Sequence, residues 1–168
     1  MKNIATEIDR INCVIGKATS WLTFGLVVII IFDVFMRYVF STTSAASFEL
    51  EWHLFAAIFL LSAGWTFQQD RHVRVDVFYT HFSPLTKAWI NGLGCLILLI
   101  PLCYIGVSEG VQFAYNAYKL GETSPDPGGL PARFIIKASI PLGFLLLGMQ
   151  GLAEILKSFA TIVNGRKS

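Results

Sequence analysis

Charge is scarce in this chain: Lys, Arg, Asp and Glu make up only 14% of its 168 residues, and the basic ones are scattered at segment ends. That scatter excludes nucleic-acid binding, which rests on Lys and Arg clustered against phosphate. Cysteine is sparse too. Cys13, Cys95 and Cys103 lack C-x-x-C or zinc-type spacing, and an odd number cannot pair fully within the chain, so they read as small buried thiols. They say nothing about redox compartment. There is no nucleophile elbow, P-loop or zinc pattern, and so no sign of an enzyme or a nucleotide-driven pump, of a cofactor or of a metal. Internal repeats, low-complexity tracts and an extended soluble domain are missing as well.

Hydrocarbon is what the chain has in excess. Hydrophobic residues make up 54% of it, and the mean hydropathy is +0.60, more apolar surface than a single soluble core of this size hides. Crossing about 30 Å of bilayer hydrocarbon takes about 20 apolar residues in a helix. Four stretches qualify, at about 21–40, 48–67, 89–108 and 134–156. Lipid offers no partner to unpaired backbone groups, so each is helical, and the fold class is all-α, an integral membrane protein in one membrane domain, 1–168. Ser44-Ala45-Ala46 resembles a leader-cleavage site, yet the run before it is longer than the 7 to 15 residues of a leader core and carries Asp33 and Arg37. It is expected to be a retained span.

Ahead of the first span, Ile4, Ile8, Ile11 and Ile15 recur at helical spacing with charged residues between them. This pattern predicts an amphipathic helix over about 2–17, lying along the membrane face, with a cytoplasmic extension of the first span as the alternative. The second connection, 68–88, is polar and contains a Ser83-Pro84 breaker; the third, about 119–133, holds Pro125-Asp126-Pro127-Gly128-Gly129-Leu130-Pro131, too rich in proline and glycine for helix. The third helix is expected to project to about Tyr118 before that loop. With the N terminus inside, Lys2, Arg10, Lys17, Arg71, Arg74, Lys87, Lys157, Arg166 and Lys167 are cytoplasmic, against Arg37, Lys119, Arg133 and Lys137 outside. Nine against four predicts that both termini are cytoplasmic and that the Pro/Gly loop faces outward.

Ionisable side chains in or near spans are the functional candidates. Asp33 and Arg37, four apart, can pair as a structural ion pair or meet a partner subunit. Glu49 and His53 lie about 40° apart around the second helix, while Glu51 points about 200° from Glu49, a poor arrangement for a metal or an acid/base pair. One acid suits the helix start, and Glu51 suits docking to a partner. Arg133 and Lys137 share a face near the outer surface, either as snorkelling anchors or, with Glu122 and Asp126, as a contact for a binding protein. His53 raises a haem- or quinone-associated redox subunit as an alternative, but a bis-histidine site needs a second ligand at matched depth. Gly92, Gly94, Gly106-x-x-x-Gly110, Gly143, Gly148 and Gly151 predict close helix packing, and Pro101 and Pro141 predict bends.

With the amphipathic lead, Arg37-Tyr38-Val39-Phe40, the Glu49 to Trp52 start of the second helix, Ala63-Gly64, and His72-Val73-Arg74-Val75-Asp76 after it, the chain resembles the small permease (DctQ-type) subunit of tripartite ATP-independent periplasmic (TRAP) transporters. The last segment is similar to that family's His-hydrophobic-x-hydrophobic-Asp signature. The resemblance implies a non-catalytic scaffold in the bacterial inner membrane for a larger permease subunit that carries the substrate and sodium sites. It also implies a periplasmic substrate-binding protein as a partner. On that reading Asp33, Arg37, Glu49, Glu51, His72 and Asp76 are structural or interfacial, with His72 and Asp76 shaping the cytoplasmic turn, and Glu122, Asp126 and Arg133 are candidates for docking the binding protein.

Overall fold

The computed structural model describes residues 2–69, 79 and 81–165, and four long helices account for nearly all of them. These are α1 (Lys2–Phe40), α2 (Ala45–Gln68), α3 (Pro84–Lys119) and α4 (Phe134–Gly165). Each is long and apolar enough to cross a membrane. The third does reach past Tyr118, as its sequence predicts. His72 and Asp76 lie outside the described residues.

Local chemistry explains the helix ends. Ser44 caps α2 by accepting the Ser47 N–H, which starts the helix at Ala45, slightly before the apolar run. Ser83 does the same for Thr86 at the head of α3, with Pro84 in the first turn, where its missing N–H costs nothing. Within α3, Cys95–Leu99 form a wider π turn in which the Ile100 N–H reaches the Cys95 carbonyl. That turn comes just before Pro101, which has no N–H to donate and needs room for its ring.

One expectation is corrected. No separate amphipathic helix occupies 2–17, because α1 runs unbroken from Lys2 to Phe40 over 39 residues. At about 1.5 Å per residue this is nearly twice the hydrocarbon thickness. At 19–20, where a break was expected, the Thr19 and Ser20 hydroxyls donate to the Gly16 carbonyl inside the helix. The amphipathic stripe is present but serves the interior: Ile4 and Ile11 are exposed, while Asn12 is 1% exposed.

The partners of that polar stripe lie on α4. The Asn12 amide donates to Gln150 Oε1 at 2.8 Å, Gln150 donates to Asp9 at 2.8 Å, and Lys157 closes on Asp9 at 2.7 Å. The result is a polar layer at the end of the bundle that holds both termini. Asn12 Oδ1 has no conventional donor among the described residues. It lies 2.4 Å from where a Cβ on Gly64 would stand, so it faces the Gly64 Cα–H, a weak donor that only glycine presents at this range.

α4 is the central element, packing on α1, α2 and α3, while α1 also packs on α2. Most of the glycines that the sequence singles out make these approaches, Gly94 being the exception with open space beside it. Gly106 and Gly110 of α3 seat the Phe144 ring and Pro141, Gly148 lies on Cys103, and Gly143 meets the backbone of α2 at Leu60. α2 and α3 meet chiefly through α4.

The polar loop end as candidate functional site

Opposite the termini, the start of α2 and the loop between α3 and α4 are fastened through one carboxylate. Glu49, 2% exposed, accepts hydrogen bonds from the Ser124 hydroxyl, from the Leu130 backbone N–H at 2.6 Å and from the Arg133 guanidinium at 2.9 Å. Arg133 also lies over the Trp52 ring. Charge-assisted bonds of this kind are roughly twice as strong as neutral ones.

The loop is built to present those donors. Ser124 N–H donates to the Leu130 carbonyl and Arg133 N–H to the Glu122 carbonyl, which closes the loop on itself. The Ser124 hydroxyl, while donating to Glu49, accepts the Asp126 N–H. Gly129 passes so close that a Cβ there would stand 2.8 Å from Glu49 Oε2 and nearer still to Ser124. Ala132 holds φ at +61°, a conformation that strains an L side chain, just before Arg133 turns in to Glu49. Ala132→Gly is therefore expected to stabilise the chain by up to about 1 kcal/mol, the relief of strain exceeding the added backbone entropy, as thermal melts in mild detergent would register.

Of the residues predicted as a site, the structure brings several together. Glu49 and Arg133 pair directly, and Lys137 pairs with Glu122, its ammonium 4.0 Å from the centre of the Phe113 ring. Both cations thus turn onto acids, where a pure headgroup anchor would turn away. Asp126 stands apart on the exposed turn 125–128. Asp33 and Arg37 pair within α1 at 2.6 Å, away from the loop. Glu51 does not join the cluster, and its Oε1 is buried with no hydrogen-bond partner among the described residues. His53 Nδ1 is engaged with the Glu49 carbonyl. Ser124, Gly129 and Leu130 escaped the sequence reading; the one available signal was the Gly128-Gly129 doublet, which marks a backbone that must come close to something.

Residues 26–161 match the family described as "Tripartite ATP-independent periplasmic transporters, DctQ component". The chain belongs to this family. As a DctQ component it is a multi-pass membrane protein of a transport system and not an enzyme, which decides against the redox alternative. It is also similar to a Haemophilus influenzae protein named as a TRAP transporter small permease protein, at 27% identity over 138 residues that cover 79% of this chain and 82% of that protein. The matched region takes in the Phe40 end of α1 and both sides of the Glu49 cluster. A tripartite system implies further components beside the DctQ chain.

Proposed function

We propose that the chain is the scaffold subunit of a secondary, ion-coupled TRAP-type solute uptake system in a bacterial inner membrane. It holds the large permease subunit in place and offers its outer loop to a periplasmic substrate-binding protein. Both termini are cytoplasmic on this reading, as the distribution of basic residues favours, and the whole chain serves as one membrane domain. The observation that supports it best is the Glu49 fastening. A short loop held at three points to a membrane helix keeps its exposed turn, with Asp126 at the tip, in a fixed place, as a docking surface requires. Glu122, Arg133 and Asp126 then set the charge pattern a binding protein meets, Asp126 directly and the paired groups from behind. Asp33, Arg37 and Glu51 are structural or subunit-interface groups within the membrane, and His72 and Asp76 belong to the cytoplasmic turn.

The test is affinity purification of the tagged chain from native membranes in mild detergent, followed by mass spectrometry. A large hydrophobic partner at a fixed ratio is expected; recovery of only self-oligomers or of redox proteins would overturn the reading. Without that partner the chain is expected to be poorly stable, because packing faces would be left to lipid. A robust, monodisperse isolated chain would contradict this.

A further inference from the structure

Along α1 from Trp21 to Phe40, only Asp33 is buried, at 4% exposure. The next least exposed residues there, Gly25, Leu26, Ile29 and Met36, flank it along one stripe. α2 adjoins this half of α1, joined to it by the four-residue connection 41–44 and packed against it. Asp33 is seven residues, about 10 Å, below the end of α1, and Glu51 is six residues, about 9 Å, below the start of α2. The two acids are therefore at one depth. Their directions also converge. Glu51 and Trp65 are fourteen residues apart and point about 40° apart around α2, and the Trp65 ring rests on Gly16 of α1. Glu51 thus lies on the side of α2 that turns toward α1.

Among the described residues, this seam holds two acids and one base. Arg37 serves Asp33, its side chain 51% exposed, and Glu51 Oε1 is sealed from solvent without a hydrogen bond. An unpartnered carboxylate oxygen below the surface of a membrane is costly and calls for a cation. Phe48 and Phe55, within about 60° of Glu51 on the same helix, are both largely exposed. They give the acid an aromatic surround suited to a neighbouring helix.

We infer that the α1–α2 seam at Glu51 is the contact through which this chain binds a transmembrane helix of the large permease subunit, a helix that brings a lysine or arginine to Glu51 at this depth. The inference rests on the scaffold reading above and adds the face and the charge that recognise the partner. Phe48 and Phe55 supply the packing, and the partner's cation completes a two-acid, two-base set with Asp33 and Arg37.

The experiment uses the tagged chain coexpressed with the large subunit, in three forms: unmodified, Glu51→Ala and Glu51→Gln. Recovery of the large subunit is expected to fall at least about tenfold for Glu51→Ala, and less for Glu51→Gln, which keeps a hydrogen-bond acceptor. A photo-cross-linking phenylalanine analogue at position 55 is expected to join the two subunits, while the same analogue at position 111, exposed on α3, is not. Undiminished recovery with Glu51→Ala, or cross-linking from 111 and not from 55, overturns the inference. If Glu51→Ala fails to fold, the cross-linking result decides alone. If the unmodified chain recovers no large subunit, the scaffold reading itself falls and takes this inference with it.

Discussion

Glu49→Ala is expected to release the loop between α3 and α4 and to lower the apparent Tm in mild detergent by about 5 °C or more. The side chain removed is the common acceptor for a hydroxyl, a backbone N–H and a guanidinium that lie 75, 81 and 84 residues away along the chain. Taking away the acceptor leaves Arg133 with its charge turned inward over Trp52 and no counter-ion, the situation in which a broken pair costs far more than the pair contributes. Limited proteolysis gives an independent readout, because cleavage between Glu122 and Arg133 should become much faster once the turn is untied. Glu49→Gln should fall in between, keeping an acceptor for Ser124 or Leu130 and losing the charge. Arg133→Ala together with Glu49→Ala should cost less than the sum of the two single changes, since each alone strands the other's group. An unchanged melt and an unchanged cleavage rate for Glu49→Ala would show that the loop is held by its own ladder and not by α2.

Gly143→Ala is expected to be the most damaging single methyl in the bundle. Its Cβ would stand 2.7 Å from the Leu60 carbonyl oxygen and 3.0 Å from the Leu60 carbonyl carbon, both backbone atoms of α2. No rotamer change relieves such a clash, so the parallel pair α2 and α4 must move apart. Overpacking of this kind costs about 1–3 kcal/mol, and the loss of close packing adds to it, because lipid supplies no hydrophobic drive to hold the helices together. Gly64→Ala is a second case, meeting Asn12 Oδ1 at 2.4 Å and the Leu146 carbonyl oxygen at 3.0 Å. The internal comparison is Gly25→Ala and Gly94→Ala, where a Cβ meets nothing within 4 Å. These should be neutral or stabilising by up to about 1 kcal/mol, from helix propensity alone. Melts of the four variants in the same detergent separate the effects, and equal melts for Gly143→Ala and Gly25→Ala would refute the close α2–α4 contact.

Much of the fold was legible in the residues taken singly. The passage of α3 to Tyr118 and the use of Gly106 and Gly110 as a packing face each follow from local chemistry, whereas Ser83-Pro84, expected as a breaker within a loop running to residue 88, instead caps and opens α3. The polar layer at the other end was not legible. Asn12 and Gln150 look like ordinary uncharged residues, 138 positions apart, and only their juxtaposition gives either a purpose. The amphipathic stripe of the first helix misled for a related reason. Polar and apolar residues recurring at helical spacing reveal that two faces differ, not which of them turns inward, and in a membrane the polar face is the one that needs a protein partner.

The sequence by itself determined the number of membrane-crossing helices and the family, because the energy of taking a backbone into hydrocarbon depends on local composition and length; how far each helix runs beyond its apolar stretch it did not determine. It also marked Asp33, Arg37, Glu49, Glu51 and Arg133 as residues whose presence in or near spans needed a reason. The tertiary structure decided which helix is central, which acid meets which base, and that Glu51 meets none among the described residues. Helix faces in lipid are apolar nearly all the way round, so hydropathy carries no record of which face meets which neighbour. That choice is made by the few small and polar residues, such as Gly143 against Leu60 and Glu49 against Arg133, whose fit exists only once the helices are side by side.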